Sequence, residues 1–240
     1  MRIFLAGAGG AIGRRLTPLL RAAGHEVVGT TRSHDKAAAL QALGAEPVVV
    51  DVFDAVALTR AVAVAAPHVV MHQLTDLAFA PGTPQYDEAL DRNARLRIEG
   101  TRNLAAAAQA AGVKRLIAQS IAFVYASGEG PRAESDPLDF AAAGVRKRTV
   151  DGVVALEQAS LELPEGSVLR YGYLYGPGTW FESGQRAKPA LHVDAAAQAA
   201  LLAVTRGARG IYNIAEDDGA VLIDKARRDL GFDPEFRITS

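Results

Sequence analysis

The sequence predicts an α/β protein built on a doubly wound parallel sheet. Short apolar runs, most of them rich in Val, Ile or Leu, recur along the first two thirds of the chain, as expected for strands that are covered on both faces. Ala- and Leu-rich stretches of helical length and period separate these runs. Such alternation is typical of parallel strands joined by right-handed helical crossovers.

The predicted elements follow one another from the N-terminus. Five strands are expected at RIFLAG, HEVVGTT, AEPVVVD, PHVVMHQ and KRLIAQS, and the intervening helices at 11–23, 35–43, 54–66, 84–111 and 148–162. A sixth strand is expected at SVLRYGYLY, before a loop that contains GPG; the tail then has a helix at 193–206, a strand GIYNIA and a helix near 220–230. We expect residues 1–170 to form the sheet domain and residues 171–240 a small C-terminal lobe, packed as one unit.

Composition narrows the possible functions. The net charge of -1 gives no indication of nucleic-acid or membrane-surface binding, and no run reaches the ~20 apolar residues of a membrane helix. The chain has no cysteine, and its five histidines show no paired ligand spacing, so no metal site is predicted. Neither a G-x-S-x-G nor a P-loop motif is present. We expect a cytoplasmic protein that acts on a small molecule.

The glycines at positions 7, 10 and 13 of GAGGAIG follow the first strand and open the first helix. Gly7 suits a sharp turn, Gly10 allows a pyrophosphate to approach the backbone, and Gly13 allows the helix to pack closely on the strand. Ala11 and Ile12 would offer backbone N–H groups at the helix N-terminus, which favours phosphate. The motif therefore predicts a dinucleotide site. A tight turn without a ligand is the alternative.

The end of the second strand indicates which dinucleotide binds. An NAD site usually places an acid there to bind the ribose 2′-hydroxyl, but this chain has Thr31, Arg32 and Ser33, with no acid before Asp35. Arg32 could pair with a 2′-phosphate, and Thr31 or Ser33 could donate hydrogen bonds to it. We predict that NADP(H) is preferred over NAD(H). A solvated loop arginine is the alternative.

Several segments resemble the extended short-chain dehydrogenases/reductases, the NAD-dependent epimerase/dehydratase group. GAGGAIG is similar to the family's GATGFIG, and the likeness continues through EGTRNLAAAAQAAGVKRLIAQS, LRYGYLYGPGTW and LHVDAAAQAALLAV. The resemblance covers almost the whole chain. It implies a Rossmann-type fold, a nicotinamide cofactor and a substrate cleft beside the C-terminal lobe.

The same resemblance assigns further residues to the cofactor and the cleft. Asp51 and Val52 would hold the adenine. At the ends of later strands, the cofactor would contact Gln73, Leu74, Ser120 and Tyr171. Tyr173 and Trp180 would line the substrate cleft, with core packing as the alternative for either ring.

The chain departs from the family at its catalytic residues. The family uses a Tyr and a Lys four residues apart to exchange a proton with the substrate, but no Y-x-x-x-K occurs here. Ungapped counting puts Thr149 at the Tyr position, Val153 at the Lys position, Ile121 at the Ser position and Arg97 at the Asn position.

If the protein reduces a carbonyl, its proton must come from another group. The resemblance offers Ser120, Tyr125 and Tyr173, with Thr149 at the tyrosine position. Each has a structural alternative, and His72 is a further candidate base.

Three functions remain open. The first is an atypical NADP-dependent oxidoreductase that reduces a small carbonyl or enone through an altered proton relay. The second is an inactive NADP(H)-binding sensor or interaction protein, and the third is an epimerase- or dehydratase-type enzyme. The resemblance also implies a possible homodimer through the helices at 84–111 and 148–163.

Overall fold

A parallel sheet of seven strands forms the centre of the protein, in the order β3-β2-β1-β4-β5-β6-β9. The computed structural model describes residues 1–77, 79, 82–184 and 187–238. The central strands are β1 (Arg2–Ala6), β2 (Glu26–Thr31), β3 (Glu46–Val49), β4 (Val69–His72), β5 (Arg115–Ile121), β6 (Ser167–Tyr171) and β9 (Gly210–Ile214). Each neighbouring pair is parallel, which confirms the predicted fold class.

Helices cover both faces of the sheet. They are α1 (Ala11–Ala22), α2 (Ala37–Ala42), α3 (Ala55–Ala65), α4 (Tyr86–Arg95), α5 (Thr101–Ala110), α6 (Gly144–Leu161), α7 (Val193–Leu202) and α8 (Asp224–Leu230). Helix α1 packs against α7, whereas α3 packs against α5 and α6 against both α4 and α5. Apolar side chains form one core on each side of the sheet, as a doubly wound fold requires.

The strand order reverses between β1 and β4. The chain runs outward from β1 through β2 to β3, then returns to β4 on the other side of β1. Connections leaving the carboxyl ends of β1 and β4 therefore diverge to opposite faces and leave a crevice. In open α/β sheets this crevice is where ligands bind.

The run SVLRYGYLY forms two strands rather than the single one expected. Strand β6 ends at Tyr171, and β7 (Tyr173–Tyr175) pairs with β8 (Ala190–His192) in a separate two-stranded sheet. The break falls at Gly172, where an added Cβ would lie 2.7 Å from the Pro189 carbonyl oxygen. The chain bends there because another backbone segment crosses it closely.

The helix expected at 84–111 is continuous but changes pitch. A π-helical turn, Leu96–Gly100, joins α4 to α5. Other helix ends differ by a few residues: α6 begins at Gly144, ahead of the expected 148, and α7 ends at Leu202. Residues after 170 contribute both to the central sheet, through β9, and to the β7–β8 pair. Among the described residues, no helix has the length and apolar character needed to cross a bilayer.

Candidate active site

The glycine loop follows β1 and turns directly into α1. Gly7 has a φ of +95°, and a Cβ there would lie 2.5 Å from the Gln73 carbonyl oxygen, so only glycine fits without strain. The Gly10 N–H donates to the Gly7 carbonyl at 3.0 Å and closes the turn. The result is a bare backbone surface at the N-terminus of a helix, a geometry that binds phosphate.

Gly13 and Ile12 set the position of α1 in different ways. A Cβ at Gly13 would lie 2.2 Å from the Gly7 oxygen, so the first turn of α1 rests directly on the loop. The Ile12 side chain is buried in the core, which leaves only its backbone to meet a ligand. These contacts fit the roles predicted from the glycine spacing.

A cavity of about 270 Å³ extends from this loop across the carboxyl ends of the neighbouring strands. Most of the predicted cofactor residues meet there: Gly7, Gly10, Thr31, Arg32, Ser33, Asp51, Val52, Gln73 and Leu74. The Asp51 carboxylate accepts the Phe53 N–H at 3.0 Å and shapes the turn after β3. We call this space the cofactor cavity.

The rim of the cofactor cavity near β2 carries two cations. Arg32 and Lys36 both line it, and both are exposed. The loop between them is shaped by the Thr31 hydroxyl, which accepts the Ser33 N–H at 3.2 Å. Sequence reasoning missed Lys36, although a second cation four residues after Arg32 was a usable signal.

A second cavity of about 510 Å³ adjoins the first. Its lining includes six aromatic side chains: Tyr86, Phe123, Tyr171, Tyr173, Trp180 and Phe181. The Phe123 and Tyr173 rings are stacked, with centroids 3.8 Å apart and planes 10° from parallel, while Tyr86 and Trp180 meet edge to face at 6.1 Å. We call this space the aromatic cleft; it includes both predicted cleft residues, Tyr173 and Trp180.

The two cavities form one continuous groove. Gly9, Gly10, Arg32, Thr75 and Asp76 line both of them. A ligand lying along the cofactor cavity past the glycine loop would therefore reach the aromatic cleft. Ala11, one of the predicted cofactor residues, also lines the aromatic cleft.

Two buried polar side chains, Gln73 and Tyr171, mark the junction. Among the described residues, neither the Tyr171 hydroxyl nor the amide atoms of Gln73 make a hydrogen bond of standard geometry. Tyr171 lines the aromatic cleft and Gln73 the cofactor cavity. Burial raises the pKa of Tyr171 well above its ordinary value, with a smaller opposing effect from Gln73, so the hydroxyl keeps its proton. These two buried polar groups, which lie beside each other, and the glycine cradle fit a dinucleotide with a polar carboxamide end.

Arg97, at the family's Asn position, also faces the aromatic cleft. It lies in the π-helical turn and is only 6% exposed. Burial lowers the pKa of Arg97 to about 10, an effect that the nearby charge of Glu157 partly offsets, so the guanidinium stays cationic at neutral pH. From sequence alone, Arg97 is only a departure from the family pattern.

The predicted proton donors Ser120 and Tyr125 lie in a buried network outside the cleft. Ser120 Oγ donates to Glu157 Oε1 at 2.8 Å, and Tyr125 donates to Asn213 Oδ1 at 2.6 Å while it accepts from Arg170 Nη1 at 2.8 Å. Arg170 also forms a bidentate pair with Glu157, at 2.8 and 2.6 Å. The structure thus brings Ser120 and Tyr125 together, but neither lines either cavity.

Thr149 and Val153 lie on α6, where the family's Tyr and Lys would be. Thr149 is partly buried and Val153 fully buried, and neither lines either cavity. The structure therefore does not bring Thr149 together with Tyr173 in the aromatic cleft.

His72 is also held away from the groove. Its Nδ1 accepts the Leu74 N–H at 3.3 Å, and its Nε2 lies 3.0 Å from Thr101 Oγ1. Burial lowers the pKa of His72 to about 4, and the charge of Arg97 acts in the same direction. The ring is therefore neutral at physiological pH. Among the described residues, no group of three or more His, Cys, Asp or Glu side chains could hold a metal ion.

Comparison with known proteins agrees with this geometry. A family described as NAD(P)H-binding matches residues 7–162. A Streptomyces protein named 3-diazoavenalumate denitrifying reductase is 40% identical over 242 residues, which cover 92% of this chain and 77% of that protein. An uncharacterized Schizosaccharomyces pombe protein is 29% identical over 91% of this chain and 76% of its own length.

Solved structures show the same fold at low identity. UDP-glucose 4-epimerase from Thermotoga maritima matches with a TM-score of 0.79 and 18% identity, covering 99% of this chain and 94% of that one. The dTDP-glucose 4,6-dehydratase DesIV from Streptomyces venezuelae matches with a TM-score of 0.76 and 18% identity, covering 99% and 93%. The resemblance that the sequence motifs indicated is thereby confirmed at the level of the fold and of NAD(P)H binding.

Proposed function

The chain belongs to the NAD(P)H-binding family, and from that premise we propose that it is an NADP(H)-dependent reductase that delivers hydride to a small, flat, electrophilic substrate. One observation carries the proposal: the cofactor cavity opens directly into an aromatic cleft, with shared walls at Gly9 and Gly10. A dinucleotide seated on the glycine loop would bring its reducing end to a flat apolar surface.

Different residues of the chain would bind different parts of the cofactor. The loop from Gly7 to Gly13 would hold the pyrophosphate at the N-terminus of α1. Arg32 and Lys36 would pair with a 2′-phosphate, with Ser33 beside them. Bound there, the cofactor supplies a hydride.

The proposed reaction needs no proton relay. Reduction of a carbonyl requires a proton on the substrate oxygen, and burial raises the pKa of the cleft hydroxyls of Tyr86 and Tyr173, which makes them weaker acids. A hydride that displaces dinitrogen from an arenediazonium carbon needs no such acid: the C–H bond forms, and the C–N bond electrons leave with N₂. The substrate is reduced, the cofactor is oxidised, and no proton is taken up.

The relative with 40% identity supports this class of reaction. Its name describes a denitrifying reductase that acts on a diazo compound. That chemistry is consistent with a chain that has Thr149 and Val153 at the positions of the family's Tyr and Lys. Reduction of a small carbonyl or enone remains the second candidate, because the Tyr173 side chain lines the cleft and could donate a proton.

The experiment uses NADPH that carries deuterium at its reducing carbon. We expect protein mixed with this cofactor and a carboxy-substituted benzenediazonium salt to release N₂ and to form an arene with deuterium at the carbon that carried nitrogen. Reactions without protein, and with a Gly7→Val variant that blocks the loop, correct for direct reduction by the cofactor. Turnover of small enones or aldehydes instead would favour the second candidate, and tight NADPH binding with no turnover of either class would favour a sensor.

The preference for NADP(H) can be tested separately. Loss of a charge-assisted hydrogen bond costs about 1.5–3 kcal/mol, so we expect Arg32→Ala to weaken NADPH binding by about tenfold or more and to leave NADH binding nearly unchanged. Lys36→Ala should act in the same direction. The exposed Arg60 on α3 provides the control, since Arg60→Ala removes a distant cation. Equal effects of Arg32→Ala on both cofactors in a fluorescence titration would contradict the preference.

A further inference from the structure

A buried cation in the aromatic cleft indicates which substrates the cleft accepts. We propose that Arg97 binds the carboxylate of a planar aromatic substrate whose ring lies along the aromatic wall of the cleft. This inference names a substrate class for the reductase proposed above and rests on it, but it is tested by binding alone.

The first support is the absence of a counter-ion. The Arg97 guanidinium forms no hydrogen bond or ion pair with any residue that the structure describes. The acids nearby are already engaged: Glu157 is held by Arg170 and Ser120, and Asp76 lies 3.5 Å from Arg92. The guanidinium nitrogens reach the aromatic cleft and are not sealed in the core, so an anion bound in the cleft can pair with this cation.

The second support is the way the backbone places Arg97. The π-helical turn shifts the register of the helix between α4 and α5, and such turns are frequent at functional sites. Gly100 permits it: a Cβ there would lie 2.9 Å from Leu96 Cδ1 and 3.1 Å from Val52 Cγ1. Gly152 on α6 lets that helix approach closely, since a Cβ there would lie 3.2 Å from the Ala94 Cα. The chain thus uses close packing to hold a cation at the wall of the cleft.

The third support is the shape of the wall around it. The stacked Phe123 and Tyr173 rings and the Tyr86–Trp180 pair offer flat aromatic surfaces. A planar ring gains dispersion and apolar burial against them, while a guanidinium matches a carboxylate with two parallel hydrogen bonds. An aromatic carboxylate satisfies both parts of the cleft at once.

The cofactor is the competing partner for Arg97. Arg97 lines only the aromatic cleft, whereas Arg32 lines both cavities. The cofactor phosphates are therefore assigned to the glycine loop and Arg32, and Arg97 is left to the substrate. Substituting Arg32 should therefore weaken binding of the cofactor, and substituting Arg97 should weaken binding of the substrate.

The test measures binding of cinnamate and of its methyl ester to the protein saturated with NADP⁺. Trp180 is the single tryptophan and lines the cleft, so its fluorescence reports occupancy, with calorimetry as a second measurement. We expect Arg97→Met to weaken cinnamate binding by about tenfold to a hundredfold and to leave ester and NADP⁺ binding unchanged. Arg97→Lys should retain part of the affinity, because the charge remains and the planar fork is lost.

Matched controls keep the result interpretable. Arg102→Met removes an exposed cation on α5 and should change neither affinity. Because Arg97→Met replaces an unpaired buried charge with an apolar chain, we expect it to fold and to melt at or above the wild-type temperature. Equal losses for cinnamate and its ester, a fall in NADP⁺ affinity, or no cinnamate binding to the wild type would overturn the inference. Arg97-dependent cinnamate binding without turnover of any substrate would support it and count against the reductase.

Discussion

At the scale of single residues, Gly13 is a position where one added methyl group should be strongly destabilising. Its Cβ would lie 2.2 Å from the Gly7 oxygen and 2.7 Å from Ala8 backbone atoms, which cannot move without shifting α1. Overpacking typically costs about 1–3 kcal/mol, and we expect Gly13→Ala to exceed that range and to abolish NADPH binding.

Gly9 gives the matched control for that substitution. A Cβ at Gly9 has nothing nearer than Leu40 Cδ2 at 4.0 Å, so Gly9→Ala should unfold near the wild-type temperature. The measurement is thermal unfolding by circular dichroism for both variants. Similar melting temperatures for the two would show that the loop tolerates a shift of α1.

His72 should make stability depend on pH between about 6.5 and 4. Burial lowers its pKa in the folded protein to about 4 from an ordinary value of 6.5. The unfolded chain therefore takes up a proton first as pH falls, so the stabilisation is complete above pH 6.5 and is lost towards pH 4. At about 1.4 kcal/mol per pKa unit, the loss is roughly 3 kcal/mol.

Chemical denaturation across this pH range measures the effect. We expect His72→Gln to be less stable than the wild type at neutral pH and to show a shallower fall with acid. His34→Gln, at an exposed position, should keep the wild-type slope. Parallel slopes for His72→Gln and the wild type would assign the acid sensitivity to other groups.

Site residues could be predicted where sequence spacing itself fixes the geometry. The glycines and Thr31–Ser33 meet in the cofactor cavity because each follows a strand that ends at the same sheet edge. The hydroxyls of Ser120 and Tyr125 could not be placed this way, since their partners lie 37 and 88 residues along the chain. The role inferred for Arg97 likewise depends on burial and on missing partners, which only tertiary structure reveals.

At the scale of elements, the order of strands and helices was predictable and one strand boundary was not. SVLRYGYLY is rich in apolar and aromatic residues along its whole length, and sequence periodicity does not divide such a run. The division into β6 and β7 is set by the backbone near Pro189, which approaches Gly172 from a distant part of the chain. The π-helical turn is another element that a helical pattern does not reveal.

The buried ion pair between Arg170 and Glu157 joins β6 to α6. Its contribution to the free energy of unfolding can be measured. Although burial opposes its charge, the hydrogen bonds and charge of Glu157 raise the pKa of Arg170, so the guanidinium stays cationic. Removing one partner of a buried pair costs about 3–5 kcal/mol, because the other charge is left uncompensated. We expect Arg170→Met and Glu157→Leu each to destabilise the protein by that order, and the double variant by clearly less than their sum.

A surface pair between α4 and α6 provides the comparison for this cycle. Arg148 and Asp91 are each about half exposed, and exposed pairs contribute about 0–1 kcal/mol. Arg148→Met should therefore change the free energy of unfolding little in the same urea titration. Additive losses in the Arg170–Glu157 cycle would show that the two side chains stabilise the sheet independently.

At the scale of the whole molecule, the segment after residue 170 is joined to the rest of the chain at several places. Strand β9 pairs with β6 over five residues from each strand, and α7 packs against α1. Arg15 on α1 forms an ion pair with Asp194 on α7 at 2.8 Å. The division at 170 and 171 remains a prediction from sequence, and these contacts favour the accompanying expectation that the two parts behave as one unit.

We therefore expect a single cooperative unfolding transition that both parts share. Trp180 lies after the proposed boundary, so its fluorescence follows the C-terminal part, while far-ultraviolet circular dichroism follows all the helices. The two melting curves should coincide, because loss of β9 would expose an edge of β6 and strip α7 from α1. NADPH at about a hundred times its Kd should stabilise the protein by about 2.7 kcal/mol. It should raise the melting temperature by the same amount in both measurements. A fluorescence transition well below the circular dichroism transition, or one that NADPH leaves in place, would show that the C-terminal part unfolds independently.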